Sequence, residues 1–217
     1  GCISANLLNQ GGFKRDRIKE LAKEFYENGI RAVILIGGGE PMAHPEFGYL
    51  VDYFAEHDIH VGVTTNGTLI KKYMKPLANN TKWVRVSVDA GSPEVFQKYR
   101  PHISGKSQFN SVIDQMRELG KIKKGKMGYS YVILSKYDDK GNFLETNATD
   151  ISNAAKVAKD IGCDYFEVKP AFDVTHFLAE TSNKEKDIVK NQLEKIKAMN
   201  SSDFRVISPI TISDAIS

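Results

Sequence analysis

The sequence predicts an α/β fold with parallel strands and outer helices, in the form of a barrel or partial barrel or of an open doubly wound sheet. Amphipathic stretches alternate with short β-branched apolar runs along almost the whole chain, and each run-to-run connection is long enough for a helix. Alternation of this kind requires crossovers, and crossovers make neighbouring strands parallel. The residues themselves leave both a barrel and an open doubly wound sheet possible. With 217 residues, 41% of them hydrophobic, the chain can bury one sizeable core, so one domain is expected.

The elements follow in order. In "RDRIKELAKEFYENG" the apolar residues Ile18, Leu21, Ala22 and Phe25 recur at helical spacing, and Gly29 supplies the stop. The next run, "RAVILIG", is continuous enough to predict a strand buried on both faces. "PEFGYLVDYFAEHD" predicts a helix with Pro45 near its first turn, and "HVGVTTNG" a strand ending in Asn66-Gly67. "TLIKKYMKPLANN" predicts a short helix bent or divided by Pro76, before the strand "WVRVSVDAG". After "SPEVFQKYR" come the helix "SQFNSVIDQMRELG", the strand "KMGYSYVIL", the helix "TDISNAAKVAKDIG" and the strand "YFEVKPAF". A long helix around Ile188 to Met199 and the strand "FRVIS" close the pattern.

Charge and cysteine usage narrow the function classes. A net charge of +3 is small for this length, and lysines interleaved with acids, as in "NKEKDIVKNQLEKIKAMN", suit a solvated helix face rather than a nucleic-acid surface. No apolar run approaches the ~20 residues of a membrane span, and no signal segment opens the chain. Two cysteines, Cys2 and Cys163, are too few for a disulfide framework, so a cytoplasmic protein is expected. Cys163, in the turn "DIGCDYFEV", reads as a small core residue.

In a parallel sheet ligands gather at the carboxyl ends of the strands, and those ends carry "GGGEP", "TTNG", "SVDAG", "ILSK" and "VKPAF". The glycine loop is no P-loop, because no lysine followed by Ser or Thr accompanies it, and no G-x-G-x-x-G is present. Accessible backbone beside the carboxylate of Glu40 suits a ligand ammonium better than a phosphate, and Pro41 stiffens the turn. A plain strand-to-helix turn using glycine is the bland alternative. No histidine pair has metal-ligand spacing. His176 and Lys169, on or after the strand "YFEVKPAF", are candidates for the substrate rim or for structure, and Phe47, Tyr53, Phe54 and Trp83 fall at core spacing.

Taken together, "GGGEPMAHPEF", "VTTNGTLI" and "VRVSVDAGSPEVFQKYRP" resemble, in order and spacing, successive segments of the radical S-adenosylmethionine (radical SAM) superfamily, from Cys2 to about Phe172. The resemblance implies that Gly38, Gly39, Glu40 and Pro41 hold the amino group of the cofactor's methionyl part. It implies that Asn66 supports that region, that Ser87 and Asp89 bind ribose or carboxylate, and that Arg100 assists at the carboxylate. The family's C-x-x-x-C-x-x-C loop binds a four-iron four-sulfur cluster through soft thiolates. Only Cys2 matches it, as the third cysteine; the first two, with a first strand, are expected upstream of Gly1, so an incomplete core domain over 1–217 is expected. On this resemblance the fold is a partial (β/α)6-type barrel with parallel strands and outer helices, and the parent protein cleaves S-adenosylmethionine reductively. The 5′-deoxyadenosyl radical so formed abstracts hydrogen from a small-molecule or peptide substrate, with an electron donor such as flavodoxin or ferredoxin. Residues that act as acid or base are unknown. The rivals are a nucleotide- or amino-acid-binding α/β module without a cluster, and an ordinary barrel enzyme whose loop serves a phosphate or amino acid.

Overall fold

A computed structural model describes residues 12–102, 104–171 and 183–208. Six strands, β1 (Ala32–Leu35), β2 (His60–Thr65), β3 (Trp83–Ser87), β4 (Lys126–Val132), β7 (Tyr165–Lys169) and β8 (Arg205–Ile207), are hydrogen-bonded in that order. The pairs β1 with β2, β2 with β3, β4 with β7, and β7 with β8 are all parallel. The chain divides into two compact units, one comprising residues up to Val86 with Gln115–Met127, the other Ser87–Asp114 with residues from Gly128 onward.

In the first unit, α1 (Arg15–Glu27) ends as expected, with Gly29 at φ +72°, a left-handed conformation that glycine adopts at little cost. α2 (Phe47–Glu56) buries Phe47, Val51 and Phe54. The segment containing Pro76 is divided as expected, into a 3-10 turn over Ile70–Tyr73 and α3 (Met74–Asn80). Pro76 sits in the first turn of α3, where its missing N–H leaves no intrahelical bond unmade. Helix α5 (Phe109–Ile122) begins in the second unit and ends in the first.

The second unit holds α4 (Pro93–Tyr99), α6 (Ile151–Asp160) and α7 (Asn183–Lys197). It also contains two strands that periodicity did not reveal, β5 (Ser135–Tyr137) and β6 (Phe143–Thr146), paired antiparallel as a hairpin. Their turn is built by Asp138, whose carboxylate accepts from the Lys140 and Asn142 backbone N–H groups at 2.9 and 2.7 Å. Asn142 Nδ2 donates to it at 2.9 Å, and Gly141 takes φ +80°. These donors, the Asn142 side chain first, hold the Asp138 carboxyl below its usual range.

In each unit the strands have two unlike faces. In the first, Val61, Val63, Val84 and Val86 share a face and are buried, with Thr64 and Arg85 on the other; in the second, Tyr129, Tyr131, Phe166 and Val168 share a buried face, with Ser130, Glu167 and Lys169 on the other. The polar faces also hold glycines that admit aromatic rings. A Cβ on Gly62 would lie 2.3 Å from the ring of Trp83, and one on Gly128 only 2.0 Å from that of Tyr165. Trp83 and Tyr53 are half-buried, whereas Phe47 and Phe54 belong to the core.

One expectation needs correction. β1 was expected to be buried on both faces, but Ile34 is 58% and Ile36 59% exposed. Among the described strands β1 pairs with β2.

Gly125 tests the packing of the first unit. A Cβ there would meet the carbonyl oxygens of Thr81 at 2.3 Å and Lys82 at 2.7 Å, backbone atoms with nowhere to move. Gly125→Ala should cost about 1–3 kcal/mol of stability in urea denaturation, as overpacked sites do.

Candidate functional site

In the first unit, parallel pairing puts the ends of β1 and β2 side by side, and Glu40 joins the loops that leave them. The residue caps the 3-10 turn Pro41–Ala43, with Pro41 in the position where its fixed φ suits a helical start. Its Oε1 accepts from the Met42 N–H at 3.1 Å and from Thr65 Oγ1 at 2.8 Å, and its Oε2 accepts from the Asn66 N–H at 2.7 Å. A carboxylate offers about four acceptor positions. Among the described residues three are used, and the fourth, on Oε2, is left for a further donor. Thr65 also accepts from the Gly67 N–H at 3.0 Å, and Asn66 Oδ1 accepts from Thr68 N and Oγ1 at 2.9 and 2.7 Å. The Asn66 side chain thus shapes its own turn, while its backbone meets Glu40.

The glycines before Glu40 are explained neither by backbone conformation nor by close packing. Gly37 and Gly39 are absent from the positive-φ glycines of the described chain. A Cβ on Gly39 would meet nothing within 4 Å, and one on Gly37 would find only Gly39 backbone at 3.8 Å. A side chain at Gly39 would occupy open space. Gly38 and Pro41 complete this stretch.

The second unit gathers Ser87, Asp89 and Arg100. Asp89 lies just past β3 in the left-handed region, at φ +59°, which costs a non-glycine residue of order 1 kcal/mol and persists only when the surroundings enforce it. Its Oδ1 accepts from the Val132 N–H at 2.8 Å, and Arg100 stands 3.5 Å from Oδ2. Asn147, fully buried, donates from Nδ2 to the carbonyls of Asp89 and Val132 at 2.9 Å each and accepts from the Leu134 N–H at 2.8 Å. Asp150 accepts from the Gly91 N–H at 2.6 Å and Ser92 Oγ at 3.2 Å, and Tyr129 donates to the Ala90 carbonyl. Arg100 also donates to the Ser87 carbonyl. Burial pushes the Asp89 carboxyl up; Arg100, the Val132 N–H and Lys169 pull it back in part. Asn147 and Asp150 were not singled out from sequence, although "ETNATD" carries the side chains that cap a helix start.

The other candidates are placed as follows. Cys2 and His176 lie outside the described residues. Cys163 is buried, 4% exposed, in the turn between α6 and β7. Lys169 ends β7 and pairs with Glu167 at 2.8 Å. His44 bonds to the Phe13 carbonyl and the Glu46 N–H, and His57 to the Tyr53 carbonyl. Among the described residues no group of three His, Cys, Asp or Glu side chains is placed to hold a metal ion, so these residues by themselves do not make a cluster site. No described helix is long and apolar enough to cross a membrane.

A family model described as the Radical SAM superfamily matches residues 12–141. The chain is 33% identical over 85 residues to a probable GTP 3′,8-cyclase of Methanococcus maripaludis, a match covering 38% of this chain and 28% of that protein. It is 32% identical over 109 residues to the mycofactocin maturase MftC of Mycobacterium tuberculosis, covering 48% and 25%. Both matches span less than a third of the relative's length. Among solved structures, Streptococcus suis SuiB bound to S-adenosylmethionine matches 93% of this chain and 45% of its own, with TM-score 0.64 and 15% identity. SuiB bound to the precursor peptide SuiA gives 0.62 over 91% and 43%, also at 15% identity. This likeness shows the fold, the partial barrel type expected from the sequence.

Two substitutions probe the second unit. Asn147→Ala leaves two carbonyls and an N–H unpaired and should cost about 3 kcal/mol in thermal unfolding, each buried unsatisfied group being worth roughly 1–3 kcal/mol. The folded-state pKa of Asp89 lies above its unfolded value, so its charged form costs stability at neutral pH, and the cost fades as pH falls through the raised value. Asp89→Asn should therefore be stabilising at pH 7 and lose that advantage in acid, read from melting temperatures across pH.

Proposed function

The chain belongs to the radical SAM superfamily, and from that premise we propose that it is the cofactor-binding core of a radical SAM enzyme. The observation that carries the reading is the Glu40 carboxylate, oriented by Met42, Thr65 and Asn66 with one acceptor position left beside the open backbone of Gly39. That arrangement fits the methionyl ammonium of S-adenosylmethionine. Orientation is prepaid, because three internal donors hold the carboxylate before the ligand arrives. Gly38 and Gly39 let the ligand approach the backbone, and Pro41 limits the loop's freedom.

In the second unit, Ser87 and Arg100 are the groups that we assign to ribose or carboxylate binding. Asp89 has its Oδ1 on Val132 and its Oδ2 toward Arg100, so its part is to aim the guanidinium. When bound, the cofactor and a four-iron four-sulfur cluster supply the radical chemistry, with Cys2 as the cluster ligand within this chain and an electron donor of the flavodoxin or ferredoxin class; the protein binds, orients and excludes competing reactants. The substrate is of the peptide or small-molecule class, a reading that the precursor-peptide complex of SuiB supports by analogy of fold.

The test uses the full-length protein handled anaerobically. S-adenosylmethionine should bind in a calorimetric titration and be cleaved to 5′-deoxyadenosine after reduction. Glu40→Gln should weaken binding tenfold or more, since a hydrogen bond to a charged group is worth about 1.5–3 kcal/mol and each tenfold is about 1.4. Gly39→Ala should weaken binding too while unfolding within about 0.5 kcal/mol of the parent, as substitutions away from packed features do. Binding without cleavage would indicate the cluster-free module instead, and an unchanged affinity in Glu40→Gln would overturn the assignment of the loop.

A further inference from the structure

The polar face of β7 carries two charged side chains, Glu167 and Lys169. Glu167 and Lys169 alternate with Phe166 and Val168, both fully buried on the opposite face. Apolar residues therefore already supply the strand's burial. The Glu167–Lys169 pair, 2.8 Å apart with side chains 18% and 23% exposed, adds little to stability, because partly exposed ion pairs recover about 0–1 kcal/mol and deeper ones also lose hydration.

The register shows what surrounds the pair. Ser130 of β4 lies opposite Glu167 and Val132 opposite Lys169. The Lys169 carbonyl accepts from the Ile133 N–H at 2.8 Å, fixing the strand end, and Lys169 is one of the charges acting on Asp89. All of these residues belong to the second unit. Val132 and Lys169 stand at the carboxyl ends of β4 and β7, where α/β sheets receive their ligands. An ammonium has three donors. Among the described residues Glu167 is the ion-pair partner of Lys169, and the remaining donors point to a ligand acceptor.

We propose that Lys169, poised by Glu167, is a substrate-recognition residue that takes a carboxylate of the substrate, either an acidic side chain or a peptide C-terminus. The inference rests on the enzymatic reading above and adds the substrate's charge to it. A monoanion suits the site better than a phosphate dianion, because Glu167 and Asp89 already bring negative charge to Lys169. Glu167 competes with the ligand for the ammonium, so the two residues have opposite expected effects.

The experiment needs neither cluster nor cofactor, and so its failure is distinguishable from failure of S-adenosylmethionine cleavage. Binding of three probes to the full-length protein is measured by ligand-observed NMR: Ac-Ala-Glu-Ala-NH2, its Gln counterpart, and Ac-Ala-Gln-Ala with a free C-terminal carboxylate. At least one carboxylate probe should bind several-fold more tightly than the neutral peptide, and which one does identifies the source. Lys169→Met should abolish that preference, Lys169→Arg should retain it, and Glu167→Gln should strengthen it. A merely structural pair would lose binding or stability in the same direction in Lys169→Met and Glu167→Gln. Equal binding of all three probes, or a preference that survives in Lys169→Met, overturns the proposal.

Discussion

Parallel pairing is the constraint from which the rest of this structure follows. A parallel strand must be left through a crossover, so the chain departs from each strand at its carboxyl end, and the loops there are free of the helix-packing demands on the opposite edge. In the first unit this brings the glycine loop after β1 to the Thr65-Asn66 turn after β2, close enough for one carboxylate to accept from both. In the second it brings the Asp89 elbow to the end of β4, where Val132 meets Asp89 and Asn147.

Both sites use the same physical device, a buried or half-buried carboxylate fixed by internal donors. Glu40 is satisfied only in part, which leaves it an acceptor. Asp89 is closed in by a backbone N–H and a guanidinium, with burial opposing its charge. One is therefore suited to meeting a cation and the other to aiming one. Backbone strain agrees: the left-handed Asp89 sits where Asn147 and Asp150 over-determine the chain, whereas the glycine loop is unstrained and open.

The six strands of the sheet were legible because their apolar runs and the intervening helical periods are strong local signals, and Gly29 and Pro76 announced their breaks correctly. The β5–β6 hairpin was not, because its strands are short and polar and its turn depends on Asp138 bonding its own neighbours rather than on a two-residue glycine turn. β1 misled for another reason. Its apolar run describes composition alone, whereas exposure of Ile34 and Ile36 depends on what packs over each face of the strand. Family membership, in turn, was visible in short motifs, and the family model matches residues 12–141.

By itself, then, the sequence determined the α/β alternation, the residues gathered at strand ends, and the family, since each is written in local pattern or in motif order. Tertiary structure alone decided that Glu40 meets Met42, Thr65 and Asn66, that Asn147 braces Asp89, and that Glu167 and Lys169 share the polar face of β7. These are properties of distance and direction between segments far apart in the chain. Periodicity tells which side of an element is apolar, but only the folded register tells what a polar side chain meets.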